Sequence, residues 1–383
     1  MSSVRFSLLL ISAAVLASAA SAGVSSESFG QTKDGDEVTA FTITNDAGMT
    51  VRILDYGATV QSLSVPDRDG NAADVVLGFD TVAGYEGPTN PFFGCTVGRY
   101  ANRIGGASFE LDGKTVSVTA NTGEHHIHGG GDEAFSRVIW NGKPFENENG
   151  SGVEFRHVSP DGSEGFPGKV TATVRFIVPD KQNTLRIRYA ATTDAPTVLN
   201  LTNHSYFNLH GHDGPPVVDH RLKIDADAYT AVDDDLIATG ETPTVEGTPY
   251  DFREPKKIGK DVGQTSVGGR PIYDLNYVLN GYDDTSDAKP RTVARVFDPD
   301  TGRAMIVRTT EPGVQLYTGR FDQPFKGKGD VTYEGRASFC LETQHFPGTP
   351  NQPDFPSAKI TPDEPYRSIT AYEFRTWTKD AGK

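Results

Sequence analysis

Cysteine is nearly absent: Cys95 and Cys340 are the only two in 383 residues. Two cysteines in a chain of this length exclude a disulfide framework. They lie in apolar, strand-like runs, Phe92-Phe93-Gly94-Cys95 and Phe339-Cys340-Leu341. There, buried free thiols fit as well as one bridge. Basic residues are also scarce, with 36 Lys and Arg against 51 Asp and Glu, for a net charge of −15. That balance offers no footprint for nucleic acid or anionic lipid, so neither is expected as a partner. Past the N-terminus there is no long apolar run able to span a bilayer. Internal repeats, linkers and low-complexity tracts are missing too. No segment shows the 3.6-residue periodicity of an amphipathic helix of three or more turns.

What is present is punctuation and alternation. Gly numbers 41 and Pro 24, which suits a chain of many turns. Val170, Ala172, Val174, Phe176 and Val178 alternate with polar positions. After the polar link Pro179-Asp180-Lys181-Gln182-Asn183 the pattern resumes at Leu185, Ile187 and Tyr189, which predicts a hairpin. Phe109 and Leu111, the dipeptide Asp112-Gly113, then Val116 and Val118 predict a second hairpin with a two-residue turn. Val51–Leu54 and Val60–Val65 predict a third pair. The signal runs from about Val38 to Thr378. A single large all-β, antiparallel domain is therefore expected, closing as a sandwich or barrel.

The N-terminal segment reads differently. Arg5 precedes Phe6-Ser7-Leu8-Leu9-Leu10-Ile11, and a small-residue stretch ends in Ala20-Ser21-Ala22. This is the pattern of a cleavable signal peptide over residues 1–22, leaving 23–383 as the mature domain. Export to the periplasm or the medium is expected, with no membrane association after cleavage.

Five polar clusters interrupt the apolar alternation. They are Gly98-Arg99-Tyr100-Ala101-Asn102-Arg103-Ile104, His125-His126-Ile127-His128-Gly129-Gly130, Asn200-Leu201-Thr202-Asn203-His204-Ser205-Tyr206-Phe207-Asn208-Leu209, Tyr273-Asp274-Leu275-Asn276-Tyr277, and Leu341-Glu342-Thr343-Gln344-His345-Phe346-Pro347-Gly348. On a strand, Asn200, Thr202, His204 and Tyr206 would share one face, with Asn203 and Ser205 on the other. Polar residues on both faces put that segment in a polar cleft or at an edge. Glu342 directly follows Phe339-Cys340-Leu341, and a carboxylate so near buried surface is costly unless it is paired or functional.

Taken in order, these segments resemble the aldose 1-epimerase (galactose mutarotase) family. The resemblance also rests on Asp233-Asp234-Asp235-Leu236-Ile237-Ala238-Thr239-Gly240-Glu241 and Pro312-Gly313-Val314-Gln315. It implies a β-supersandwich of large antiparallel sheets with a sugar cleft on one face. It implies interconversion of the α and β anomers of a free aldohexose such as glucose or galactose, with no cofactor. Glu342 matches the family's general base and His204 its general acid. His128 matches a second histidine beside the ring oxygen. Arg103, Asp274 and Gln315 match sugar-hydroxyl contacts, and Asn102 adjoins the arginine.

That chemistry needs one base and one acid, expected about one sugar ring apart, with Glu342 ionised and His204 protonated. Reference values of about 4.3 and 6.5 leave such a window, and mutual attraction would widen it. Phe346 and Tyr206 are the candidates to stack on the pyranose. His-x-His spacing among His125, His126 and His128, with His204, could hold zinc, but no Cys or acidic ligand accompanies it and no metal is expected. His125 and His126 read as loop residues, His210 and His212 as solvated, and His345 as cleft wall. Arg99 reads as an ion-pair partner and Asp233–Asp235 as a solvated turn. The competing functions are a non-catalytic sugar-binding module and a hydrolase or lyase on the same sandwich. A hydrolase would need a second carboxylate, which could only be Asp274.

Overall fold

The structure is a computed structural model that describes residues 23–285 and 288–377. The proposed leader, residues 1–22, lies outside the described residues. Three antiparallel sheets carry the architecture. The first is a five-stranded meander, Gly23–Gln31, Glu37–Thr44, Thr50–Leu54, Thr59–Pro66 and Ala72–Asp74, in sequence order. The second has nine strands. Its centre runs Val170–Val178, Thr184–Thr193, Tyr366–Thr376 and Arg303–Thr309, so the last long strand of the chain is inserted mid-sheet. The third has four strands in the order Ala226–Tyr229, Asp274–Leu279, Gly313–Lys326 and Thr332–Gln344.

Alternation does what the sequence promises. In Val170–Val178 the valines, Ala172 and Phe176 are buried while Thr171, Thr173 and Arg175 are half-exposed. The strand pairs with Thr184–Thr193 in the predicted hairpin. Ser108–Leu111 and Lys114–Ser117 form the second hairpin, with Asp112 and Gly113 both at positive φ, as a two-residue turn of this kind requires. Thr50–Leu54 pairs with Thr59–Pro66 as the third. The α-helical content is slight, and Val82–Glu86 is only five residues long.

One feature of the packing positions the site. Residues Phe339, Leu341 and Thr343 of the four-stranded sheet face the nine-stranded sheet. The Tyr372 hydroxyl donates to the Leu341 carbonyl, and Thr343 meets Thr370. Phe207 fills the same interface against Tyr372. Because side chains alternate, Cys340, Glu342 and Gln344 must point away from that core. One face of this sheet is therefore anchored by apolar packing while the other is free to carry polar chemistry.

The structure meets some of the remaining expectations and corrects others. The segment around His204 is not one continuous strand. It makes only short pairings, Thr197–Val198 and Thr202–Asn203, because its polar side chains bond to loops rather than alternating across a ladder. Phe92-Phe93-Gly94-Cys95 is a turn, not a strand. Cys95 and Cys340 are both buried and free. His126 is in a two-residue strand paired to Arg103–Ile104, with its Nδ1 bonded to the Thr119 carbonyl. His210 and His212 are half-buried, against Asp298 and the Tyr333 hydroxyl. His345 pairs with buried Glu311 at 2.7 Å and does not line the cleft. Asp233–Asp235 is an exposed turn, with Asp233 accepting from the N–H groups of Asp235 and Ile237.

Arg99 is buried, and no carboxylate among the described residues pairs with it. Its guanidinium donates to the carbonyls of Ser159, Pro160, Phe166 and Pro167 and to the Ser159 hydroxyl. Burial pushes its pKa down to about 10, which still leaves it charged at neutral pH. The guanidinium thus ties the segment before Asn102 to the nine-stranded sheet. Arg99→Met leaves these acceptors without a donor and is expected to cost about 3 kcal/mol, read as a lower urea midpoint at unchanged slope. A loss below about 1 kcal/mol would show that the clamp is dispensable.

Candidate active site

The polar face of the four-stranded sheet forms the floor of an open cleft of about 480 Å³. Register sets its pattern. Asn276, Gln315 and Glu342 are cross-strand partners in one row, and Asp274, Tyr317 and Cys340 form the next. Paired residues project to the same side, so Asp274, Gln315 and Glu342 emerge together. Gln315 Nε2 donates to Asp274 Oδ1 at 2.6 Å. Glu342 is 2% exposed.

The opposite wall comes from loops. Strand Arg103–Ile104 pairs with His126–Ile127, which brings Asn102 and Arg103 beside His128. The Asn102 N–H donates to His128 Nδ1 at 3.2 Å, and the His128 N–H donates to the Asn102 carbonyl at 3.1 Å. The first of these bonds fixes the tautomer: Nδ1 holds the lone pair, so Nε2 carries the proton. His128 can therefore donate into the cleft. Gly129 must be glycine, since a Cβ there would lie 1.8 Å from the Gly98 carbonyl oxygen and its φ is +91°. His204 is held through its backbone, whose N–H donates to the Cys95 carbonyl and whose carbonyl accepts from Gly94.

His204 Nε2 lies 3.5 Å from Glu342 Oε2. Acid and base candidates are thus adjacent, not one sugar ring apart as the sequence suggested. The charge expectation also reverses. Burial holds the Glu342 carboxyl well above its usual range, with the Asp274 charge adding to it and Arg103 opposing. Burial pushes His204 down to about 4. Desolvation is the largest contribution at both groups, favouring the neutral carboxyl and the neutral imidazole. Asp274 is likewise raised by burial, with Arg103 and the Gln315 bond opposing. His128 is held well below its ordinary value by burial, then by His204 and Arg103.

Three buried polar atoms here have no hydrogen-bond partner among the described residues: His204 Nδ1, Glu342 Oε2 and Gln315 Oε1. Buried polar atoms without partners are costly, so their occurrence together at a cleft floor points to a polar ligand. His128, His204 and Glu342 do bring three donor atoms within 4.8 Å of one another, so an acidic group accompanies the histidines after all. The His128 tautomer opposes a metal there. Ligation through Nε2 would require a proton on Nδ1, where the Asn102 N–H already points.

All seven sequence-predicted residues, Asn102, Arg103, His128, His204, Asp274, Gln315 and Glu342, line this one cleft. Of the two stacking candidates, Tyr206 lines it and Phe346 does not. Phe346 lies beyond the strand end and packs on Phe355. Sequence reasoning missed Phe92 and Tyr317, and the rim residues Leu236, Val267, Arg270 and Ile272. The register partner of Cys340 could have flagged Tyr317. Phe92 had a weaker signal, an aromatic in a Pro-Phe-Phe-Gly turn just ahead of the first polar cluster. A larger groove of about 590 Å³, lined by Tyr56, Glu86 and Arg137 among others, contains none of the motif residues. Volume alone does not select the site.

Large antiparallel sheets with a polar cleft on one sheet face define the galactose mutarotase-like class of β-sandwich. A Caenorhabditis elegans structure described as a GalM/aldose epimerase homologue matches with TM-score 0.77 and 32% identity, covering 88% of this chain and 98% of that one. A galactose 1-epimerase structure from Lactobacillus acidophilus matches with TM-score 0.78 and 26% identity, covering 94% of this chain and all of that one. The aldose 1-epimerase family profile matches residues 39–373. Bovine galactose mutarotase is 42% identical over 327 residues, 85% of this chain and 91% of its own. Escherichia coli aldose 1-epimerase is 36% identical over 347 residues, 89% of this chain and 96% of its own. The chain belongs to the aldose 1-epimerase family.

The electrostatics make a direct prediction. His204 in the ligand-free protein should titrate near pH 4 and remain neutral from pH 8 to pH 5. His128 should keep its proton on Nε2 over the same range. Nitrogen-15 shifts of labelled histidines read both. A His204 midpoint near 6.5, or a His128 signal with the proton on Nδ1, would overturn the assignment.

Proposed function

We propose that the protein is an aldose 1-epimerase that interconverts the α and β anomers of a free aldohexose by acid–base ring opening and reclosure. The observation that carries this reading is the buried Glu342–His204 pair at 3.5 Å, partnerless toward an open cleft and flanked by hydroxyl-binding groups. The reaction needs a base at O1 and an acid at O5. Both oxygens are attached to C1, so an acid and a base placed side by side suit the task better than groups a ring apart.

In the forward step the Glu342 carboxylate takes the O1 proton and the His204 imidazolium gives a proton to O5. The C1–O5 electron pair goes to O5 and a C1=O1 carbonyl forms. The aldehyde turns about C1–C2, and the reverse steps close the ring on its other face. Arg103 favours the carboxylate that this step needs, since its charge lowers the carboxyl. His128 Nε2–H donates beside the ring oxygen. Asp274, held by Gln315, accepts from sugar hydroxyls, and Arg103 donates to them. Tyr206 and Phe92 supply apolar surface. A hydrolase would need two carboxylates flanking the scissile bond. Here the group beside Glu342 is an imidazole, and Asp274 is engaged by Gln315.

Polarimetry tests the proposal. Freshly dissolved α-D-galactose or α-D-glucose should relax to its equilibrium rotation much faster with the protein than in buffer. Glu342→Gln and His204→Asn should each lower kcat by about 10²- to 10⁴-fold while the fold persists. Unchanged relaxation with wild type would refute the epimerase reading for those sugars, and a near-full rate in either variant would refute that residue's role.

We also propose that the chain is exported, on the strength of the apolar run Phe6–Ile11 and the Ala20-Ser21-Ala22 signal. Intact mass of protein recovered from the periplasm or medium should correspond to a chain starting at Gly23. Protein retained in the cytoplasm with Met1 in place would reject this.

A further inference from the structure

Phe92 has a backbone that a bulky side chain rarely adopts, φ +67°. Its ring packs on both cleft histidines. It lies 4.7 Å from His128 at 59°, and 6.1 Å from His204 in a near-parallel arrangement at 18°. A second ring, Tyr206, lies parallel to the same imidazole at 5.0 Å and 12°. The Tyr206 hydroxyl donates to the Pro91 carbonyl at 2.7 Å, one residue before Phe92. The two aromatics are therefore coupled: Tyr206 stacks on His204 with its face and holds the Phe92 turn with its tip. The turn is also fixed by the Phe93 N–H on Asn90 Oδ1 and by the Cys95 thiol on the Phe92 carbonyl.

We infer that Phe92 and Tyr206 are positioning residues that stabilise the His204 imidazolium and hold its ring plane toward Glu342 and the cleft. This rests on the epimerase reading above. The groups facing the imidazole are Glu342 from strand Thr332–Gln344, His128 from the opposite wall at 5.3 Å between rings, and the two aromatics. His128 meets the imidazole edge-on and brings no negative charge, and Glu342 meets only its Nε2 edge. Water, the usual stabiliser of an imidazolium, is largely excluded at 4% exposure. Aromatic faces supply what remains, because the negative face of a ring attracts a cation about 6 Å or less from its centre. Near-parallel rings also fix the plane of the imidazole, which keeps Nε2 aimed at Glu342 and the sugar. Left-handed backbone at Phe92 costs stability, and strain of this kind persists where the surroundings enforce it.

Phe92→Leu keeps the apolar bulk and removes the ring. It should lower kcat by about 5- to 10-fold, with KM for galactose changed less than twofold. Phe92→Tyr should restore kcat to within twofold of wild type. Tyr206→Phe keeps the stacked ring but frees the turn, and should give a smaller loss in kcat. In labelled-histidine spectra at saturating galactose, the His204 nitrogen shifts should move toward imidazolium values in wild type, and less so in Phe92→Leu. The inference is overturned if Phe92→Leu retains wild-type kcat, if Phe92→Tyr is as slow as Phe92→Leu, or if the variant shifts match wild type. Failure of the epimerase reading is distinguished by wild type itself: no acceleration in polarimetry sinks that reading first.

Discussion

Glu342 and His204 lie 3.5 Å apart and both are almost sealed from water. An acid and a base of ordinary strength, placed together in solvent, would form an ion pair and stay that way. Burial removes this outcome, because taking two charges out of water costs more than their attraction returns unless further hydrogen bonds satisfy them. Glu342 Oε2 and His204 Nδ1 have no hydrogen-bond partner among the described residues. Burial therefore favours the neutral form of each group. The rest of the cleft biases where protons sit. Arg103 faces Glu342 and Asp274, His128 is fixed in the donating tautomer, and aromatic rings lie over the imidazole.

A site of this kind needs a rigid support that is not itself polar. The four-stranded sheet provides it. Leu341 and Thr343 lock one face onto the nine-stranded sheet, so the alternate residues, Glu342 among them, are held with little freedom. The opposite wall is made of loops, and its precision comes at a cost. Phe92, Asn102 and His128 all have left-handed backbones, at φ +67°, +64° and +52°. Each such residue costs on the order of 1–3 kcal/mol, less for asparagine. The conformations persist because the Asn102–His128 backbone bonds, the Arg99 clamp and the close approach of Gly129 to Gly98 leave no alternative packing.

Legibility in the sequence followed the same division. Strands whose two faces do different jobs announce themselves through alternation, and the three predicted hairpins occur as read. Motif residues that converge from distant parts of the chain were legible through family resemblance, and all seven meet in one cleft. Interactions fixed by three-dimensional proximity were not legible. Arg99 was read as an ion-pair partner because sequence shows charge but not carbonyls. Phe346 was read as a cleft aromatic, but it lies past the end of its strand, where the sheet face no longer sets its direction. Phe92 escaped because its turn, with φ +67°, carries no periodic signal. The directions of the two pKa shifts were misjudged for the same reason: reference values omit burial, which here is the largest contribution.

The adjacent acid and base have a consequence for a reaction that must run in both directions. Either anomer opens from the same charge arrangement, carboxylate and imidazolium. The proton taken from O1 and the proton given to O5 are both returned on reclosure, so the pair ends each turnover as it began. Burial opposes both charges of that arrangement, so the groups that favour them matter. Arg103 lowers the carboxyl from one side and the aromatic faces favour the imidazolium from the other. On this view the aromatic turn at Phe92 belongs to the acid–base machinery as much as the arginine does, although it never exchanges a proton.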